Sequence, residues 1–475
     1  MSGGTIDTAG PGGSAGGVPR ARHKAQGPAG TPAGAEAAVR PSGRDRYLDL
    51  LRTVALGRVV IYHLFGWAWL TILFPSMGVM FALAGSLMAR SLGRPSLGVI
   101  RSRMRRLLPP MWAFALVVVP VMFAMGWKPV REEGLWWFLK LANYLFPVGA
   151  PPYPWESGDP GGLLDQTWAD QAAGPLWYIR AYLWFVLASP LLLWAFRRVP
   201  WATLLAPLAL TAVIGTGLVE IPGETGEALT DFAVYGACWI LGFAHNDGLF
   251  TRVPRYITIS LATFTMAFGL WWASGHLTDE GWNLDEIPLA QATWSLGFCA
   301  ILLQYAPAWR QLPGRLARYD STITLANNRA VTIYLWHNLL IMATFPLIDL
   351  LYEVPGLSDH SDLIDRAYDV LPLVLIWPLL AVAILAFGWV EDVAAKRRPR
   401  LWPNGSKGSD GSKDSRGSGD SRGGGALKDA DGPRGADGPG FPQDPGSRPG
   451  FPGIAGSPGT GGDGAGRTGG RHGRV

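Results

Sequence analysis

The chain has 475 residues, of which 48% are hydrophobic and only 16% charged, and it contains 22 Trp. So low a charged fraction excludes an ordinary soluble enzyme surface, and Trp at this density favours a membrane–water interface, where the ring is buried and the N–H stays wet. The formal net charge of +5 does not indicate nucleic acid, because the basic residues form short clusters between apolar stretches and share no single solvated face.

Residues 1–44 are Gly, Ala and Pro with scattered Arg, and read as a disordered cytoplasmic segment. They lack the apolar stretch of a signal peptide, so the first membrane helix is expected to act as its own insertion signal. Apolar stretches of the length needed to cross about 30 Å of hydrocarbon follow near 48–66, 69–90, 107–126, 174–196, 201–219, 229–247, 256–274, 289–306, 329–349 and 370–391. The stretch 134–147 is too short to span and is expected to lie in the interface, with Trp136 and Trp137 as anchors. Cys238 and Cys299 fall inside apolar segments and read as buried free thiols, with neither metal spacing nor a disulfide framework. Residues 398–475 form a Gly/Pro/Ser-rich tail whose Gly-x-y register breaks repeatedly, unlike a collagen strand, and a flexible segment is expected. The two polar ends dilute an apolar middle, which is why mean hydropathy is only +0.16.

The connecting segments set the topology. Loops 90–106, 197–198, 247–255 and 307–329 together carry 14 Lys/Arg and two acids, whereas the alternating loops 220–231, 275–287 and 349–369 carry one Arg and 14 acids. An excess of Lys/Arg marks the cytoplasmic side. Counting forward puts both termini inside and requires an even number of helices. The expected fold is all-α: a polytopic membrane protein of about ten transmembrane helices, spanning 45–397 between the two disordered ends. A closed barrel would need alternating strands of about ten residues, and none is present.

The first helix, YLDLLRTVALGRVVIYHLFGW, carries Asp49, Arg52, Arg58 and His63. Arg52 and His63 are eleven residues apart, about 20° past three full turns, so they share one face about 16 Å apart along the axis. Asp49 is placed to pair with Arg52. Arg58 lies about 240° round from Arg52 and receives no role. Ionisable groups in hydrocarbon are costly and usually functional, although snorkelling and interhelical hydrogen bonding would also account for each residue alone. A neutral imidazole can take the proton of an acceptor hydroxyl. The run RSRMRRLLPP at 101–110 places Arg101, Arg103, Arg105 and Arg106 together without a neighbouring acid. That is more charge than topology needs, and Arg grips phosphate bidentately, so a phosphorylated donor such as coenzyme A fits. Tyr178 and Arg180, beside Trp177, begin the fourth span, either as part of an aromatic belt or as support for an oxyanion. Tyr334 and His337 lie in the ninth span, where an interhelical hydrogen bond is the simpler account.

These motifs together resemble the membrane acyltransferase-3 family. RDRYLDLLR followed by His63 is similar to the family's LDxLR-like start and Arg-x10-His pair. FPSMGVMFALAGSLM is similar to its second helix, with Ala84-Gly85 where Ser-Gly is usual. Arg103-x-x-Arg106 before LLPPMW is similar to its Arg-x-x-Arg-x-x-x-Pro run, and GPLWYIRAYL and IYLWHN to later segments. The resemblance covers about residues 45–395. It implies a ten-helix acyltransferase without a bound cofactor or metal, fed by acetyl-CoA or another acyl-CoA from the cytoplasm. By the same resemblance His63 is the catalytic base, and Arg52, Arg103 and Arg106 bind the donor; from the residues themselves, Asp49, Arg105, Tyr178, Arg180, Tyr334 and His337 are expected in support. The implied partners are the lipid bilayer, the donor and a carbohydrate or other hydroxyl acceptor, at the plasma membrane. The extracytoplasmic hydrolase-like domain that the family often appends has no counterpart here. The rival readings are a multi-pass transporter or flippase, which would also place Arg and His within the membrane, and a non-catalytic scaffold. The internal repeat that many transporters show is missing.

Overall fold

The computed structural model describes residues 45–127, 134–153, 168–356 and 361–402, so both expected disordered ends fall outside the described residues apart from 398–402. All of these residues belong to one unit of the chain, Met1–Ser412. The described residues contain no strand beyond one isolated bridge between Thr278 and Gly281.

In chain order the helices are α1 (Arg46–Phe65), α2 (Trp69–Leu73), α3 (Ser76–Ser91), α4 (Ser96–Ala124), α5 (Leu135–Leu141), α6 (Trp168–Ala173), α7 (Leu176–Arg198), α8 (Pro200–Gly215) and α9 (Gly223–Asn246). They continue with α10 (Leu249–Arg252), α11 (Arg255–Ser274), α12 (Pro288–Gln304), α13 (Asp320–Asn328), α14 (Ala330–Glu353), α15 (Ser361–Ala367), α16 (Leu371–Phe387) and α17 (Trp389–Ala394). Each of the ten expected apolar stretches contains one long helix. Five segments are long and apolar enough to cross a membrane: Trp69–Ser91, Ser96–Ala124, Trp168–Arg198, Arg255–Ser274 and Ala330–Glu353. Pro200–Gly215 and Leu371–Phe387 are apolar but shorter.

The structure departs from the hydropathy reading in three places. The second stretch breaks at Phe74, which is extended (φ −152°, ψ 101°), because a residue preceding proline is pushed out of the helical region. The third stretch begins eleven residues early: α4 starts at Ser96, directly after Pro95, so Arg101–Arg106 sit on a helix and not in a connecting loop. Hydropathy marks where side chains turn apolar, not where the backbone hydrogen-bond ladder starts. Inside α4, Pro109 and Pro110 lack N–H groups, which leaves the carbonyls of Arg105 and Arg106 without their helical donors. The last stretch ends at Phe387, and the chain turns at Gly388 into α17. A Cβ built at Gly388 would lie 2.7 Å from Arg329 Nε, so glycine is what lets the turn close over that side chain.

Small residues bring the helices together, as expected where lipid supplies no hydrophobic drive between them. On α3 and α9 the fit is reciprocal. A Cβ at Gly85 would fall on the Trp239 carbonyl, and one at Gly242 on the Ala82 carbonyl. On α11 and α12, Gly297 meets the Ala262 carbonyl and Gly269 meets Thr293 in the same way. Phe81 of α3 is fully buried among Tyr178, Phe185 and Tyr235, with ring centres 4.8, 5.2 and 5.0 Å away. Trp239 joins this cluster and donates from Nε1 to Ser189 Oγ at 3.0 Å. Cys238 and Cys299 are both free and buried.

Candidate active site

Helix α1 is fixed at both ends. The Asp45 side chain accepts from the Tyr47 N–H at 3.0 Å and caps its start. Gly66, at φ 63°, ends it with its N–H donating to the Tyr62 carbonyl at 2.7 Å. Arg46 is buried and donates to Asp49 Oδ2 (3.1 Å), to Thr324 Oγ1 (3.1 Å) and to Asp320, which ties α1 to α13. Asp49 is therefore held by Arg46 and not by Arg52, as the sequence spacing had suggested. Arg52 donates to Asn327 Oδ1 at 3.3 Å. Asn327 is itself locked, its Nδ2 donating to the Asp49 carbonyl (2.8 Å), Thr53 Oγ1 (2.9 Å) and the Ile323 carbonyl (2.8 Å). A neutral amide, not a carboxylate, orients the Arg52 guanidinium.

Arg52 opens into a cavity of about 460 Å³ between α1, α3, α4, α7, α14 and α17. Its wall includes Arg103, Arg106, Asn328, Glu391 and Arg397 at the basic end, and Tyr178, Tyr182 and Tyr334 deeper in. The volume lies within the range of ordinary small-molecule sites. Arg103 Nη2 donates to the Leu87 carbonyl (3.1 Å) and Ser91 Oγ (3.0 Å), which holds it against the last turn of α3. Arg106 has no hydrogen-bond or ion-pair partner among the described residues. Arg105 points elsewhere, to the Ala394 carbonyl at 3.2 Å, and does not line the cavity. Arg52, Arg103 and Arg106 thus face one space, none of them paired to a carboxylate among the described residues. Such an arrangement favours an anion with several oxygens.

The far side of this cavity rests on α17. Arg329 is fully buried and donates to Asp392 Oδ2 and to the Arg400 carbonyl, both at 2.6 Å. Asp392 also pairs with Arg397 at 3.1 Å, and Arg397 donates to Asn328 Oδ1 at 2.8 Å. Glu391 accepts from the Thr332 N–H (2.8 Å) and hydroxyl (2.6 Å). Burial pushes its carboxyl up to about 7 against the pull of those hydrogen bonds and of Arg329.

The inner end of the cavity is closed by Tyr178 and Tyr334, whose ring centres are 5.0 Å apart. Beyond them Tyr334 lies 5.5 Å from His337, and His337 5.1 Å from His63. Neither histidine lines the arginine cavity. His337 is buried and its Nδ1 lies 2.6 Å from the Tyr334 carbonyl. A carbonyl only accepts, so Nδ1 carries the proton and, in the neutral ring, Nε2 keeps a bare lone pair. That Nε2 is buried without a partner. His63 is solvent-accessible. It lies nine residues from Val54, about half a turn round, so it is on the opposite side of α1 from that exposed residue and beside His337.

Arg58, left without a role by the sequence, anchors the acidic end of α1. It donates from Nε to the Leu70 carbonyl (3.2 Å), lies 3.9 Å from Asp285 and covers the Tyr62 ring. Burial raises the Asp285 carboxyl above the usual range, opposed by that guanidinium. Arg180 joins α7 to α9 through Asp231 at 2.7 Å and is separate from the arginine cavity. Among the described residues no group of three His, Cys, Asp or Glu could hold a metal ion.

Sequence reasoning missed Asn327, Asn328, Glu391 and Arg397. Asn327-Asn328-Arg329 directly before an apolar stretch was the available signal: three polar side chains at a membrane edge need partners. Residues 45–390 match the model of the acyltransferase domain family, and the chain belongs to this acyltransferase-3 family. It is accordingly an acyltransferase with membrane-spanning helices. No curated protein and no solved structure matches the chain.

Proposed function

We propose that the chain takes an acyl group, acetyl in the simplest case, from acyl-CoA and delivers it to a hydroxyl of a glycan, cell-surface or secreted small-molecule acceptor. The observation that carries this reading is the alignment of three guanidiniums without carboxylate partners, two phenol rings and two imidazoles along one path through the bundle. Arg52, Arg103 and Arg106 hold the phosphates of the donor, and its thioester arm extends inward past Tyr178 and Tyr334. His63 takes the proton of the acceptor hydroxyl, and the oxygen attacks the thioester carbonyl. The C–S bond breaks, and the coenzyme A thiolate leaves and recovers a proton. His337, with its free Nε2, shares the proton held by His63. The basic end faces the cytoplasm together with both termini, the ten long helices cross the plasma membrane, and residues 45–397 form the transferase domain. The chain needs no resident cofactor or metal.

The test uses purified full-length protein in nanodiscs, with labelled acetyl-CoA and mass profiling of candidate acceptors. Acetylated product and release of free coenzyme A are expected. A His63→Ala protein that still binds acetyl-CoA and transfers at the full rate would overturn the mechanism.

A further inference from the structure

A second cavity, of about 160 Å³, opens at the acidic end, between the start of α7, α6, the start of α9 and residues 149–153. Its lining includes Tyr153, Asp170, Gly174, Trp177, Arg180 and Glu227. Two features set it apart from a surface dimple. Arg180 is 95% buried, is committed to Asp231 through Nη2 only, and has its Nε buried without a partner. Asp170 accepts a hydrogen bond from the Tyr153 hydroxyl, but neither Asp170 nor Glu227 is ion-paired among the described residues, so the site as a whole is anionic: Asp170, Glu227 and Asp231 stand against the single charge of Arg180.

The cavity also touches the catalytic path. A Cβ at Gly174 would lie 3.1 Å from Asn338 Nδ2, and Asn338 follows His337 directly in α14. Asn338 donates to the Gln171 carbonyl at 3.3 Å, and its Oδ1 is buried without a partner. Trp177 precedes Tyr178 of the cavity-closing pair and stacks on Tyr235 at 5.7 Å. A molecule in this cavity therefore rests against Trp177, the neighbour of Tyr178, and against Gly174, which abuts the neighbour of His337.

The geometry points to the acceptor subsite of the transferase, and to an acceptor that carries an ammonium group beside its hydroxyl, as an amino alcohol or amino sugar does. Indole and phenol faces together with carboxylates that carry no ion pair are the surroundings that a cation selects. Acidic loops concentrate such a cation at this end and repel anionic molecules. The donor mouth, lined with guanidiniums, has the opposite preference, so each substrate is steered to its own end. This inference rests on the acyl-transfer reading above and adds the charge of the acceptor to it.

The test measures direct binding to full-length protein in nanodiscs with matched probes: glucosamine, glucose and N-acetylglucosamine, with ethanolamine against ethylene glycol as the minimal pair. Glucosamine and ethanolamine should bind at least tenfold more tightly than their neutral counterparts. The preference should shrink with added salt and fall toward unity in Asp170→Asn/Glu227→Gln. Both positions lie at a solvent-accessible rim, and the affinity for acetyl-CoA, measured on the same sample, reports whether the fold survives. Equal affinity for charged and neutral probes, absence of binding by any of them, or a preference untouched by the double substitution would each overturn the proposal. Failure of the acyl-transfer reading is read separately, as absence of coenzyme A release with every acceptor.

Discussion

The imidazole of His337 donates from Nδ1 to the Tyr334 carbonyl at 2.6 Å, one turn back on its own helix. That bond fixes the tautomer and leaves a bare lone pair on Nε2, which is buried without a partner. The ring of His63 stands 5.1 Å away.

Substitution separates their roles. His63→Ala should lower the transfer rate about 10²- to 10⁴-fold, the usual size of a lost general base, with donor affinity unchanged. His337→Asn keeps a donor for the Tyr334 carbonyl but removes the Nε2 lone pair. A fall in rate without loss of thermal stability is expected, and a rate equal to wild type would reduce His337 to a structural prop. Rates are read from labelled acetyl transfer and stability from thermal unfolding in detergent.

The guanidiniums at the mouth make a different prediction. Arg106→Gln should raise the acetyl-CoA Kd roughly 10- to 100-fold, the cost of a charge-assisted hydrogen bond, with a weaker salt dependence than wild type. Arg105→Gln, whose side chain is spent on the Ala394 carbonyl, should change that Kd by less than about threefold, since no donor contact is removed. Titration calorimetry at two ionic strengths checks both.

Glu391 predicts a pH dependence. Its carboxyl is neutral below about 7 and ionised above. Ionisation adds a negative charge to the wall that Arg52, Arg103 and Arg106 share. Donor affinity should therefore weaken as pH rises through about 7, by roughly threefold for one screened charge across a wet cavity. The stability effect has the same direction: a carboxyl raised in the folded state favours folding at low pH, and that contribution is lost as pH climbs from about 4.5 through about 7. In Glu391→Gln both trends should flatten. An identical profile in the variant would assign the pH dependence to another group.

The glycine contact between α3 and α9 is the packing test. Gly242→Val places its side chain against the Ala82 carbonyl and the Ser86 N–H, and overpacking of this kind costs about 1–3 kcal/mol. Thermal unfolding should shift down accordingly. Gly98→Ala, on the exposed start of α4 with open space around it, should be neutral or slightly stabilising.

Much of this was legible in the amino acids. Each apolar stretch holds a long helix, and five of these helical segments are long and apolar enough to cross a membrane, where a backbone in oil must satisfy its own hydrogen bonds. The alignment of Arg52 with His63 followed from helix pitch alone, and the structure keeps both on one side of α1. What the sequence hid were partners supplied across the fold. Asp49 pairs three residues back to Arg46 because Asp320 and Thr324 hold Arg46 beside it. Arg52 meets Asn327, 275 residues away, and Glu391 becomes part of the cavity only because Gly388 turns α17 beneath it. No local pattern encodes such pairings. The basic run reads as a loop by its charge, yet Arg is a good helix former, and Arg101–Arg106 lie within α4.

The paired phenols of Tyr178 and Tyr334 have a consequence for the cell that houses this protein. A continuous column of water from the arginine mouth to His63 would leak protons down the electrochemical gradient. Two rings 5.0 Å apart, backed by Phe81 at 4.8 Å from the first of them, close the inner end of the arginine cavity, and apolar constrictions are a known means of stopping conduction. On the acyl-CoA reading proposed above, the thioester arm would itself be the stopper, inserted only while its chemistry proceeds, so that energy conservation and biosynthesis would share one bilayer without loss.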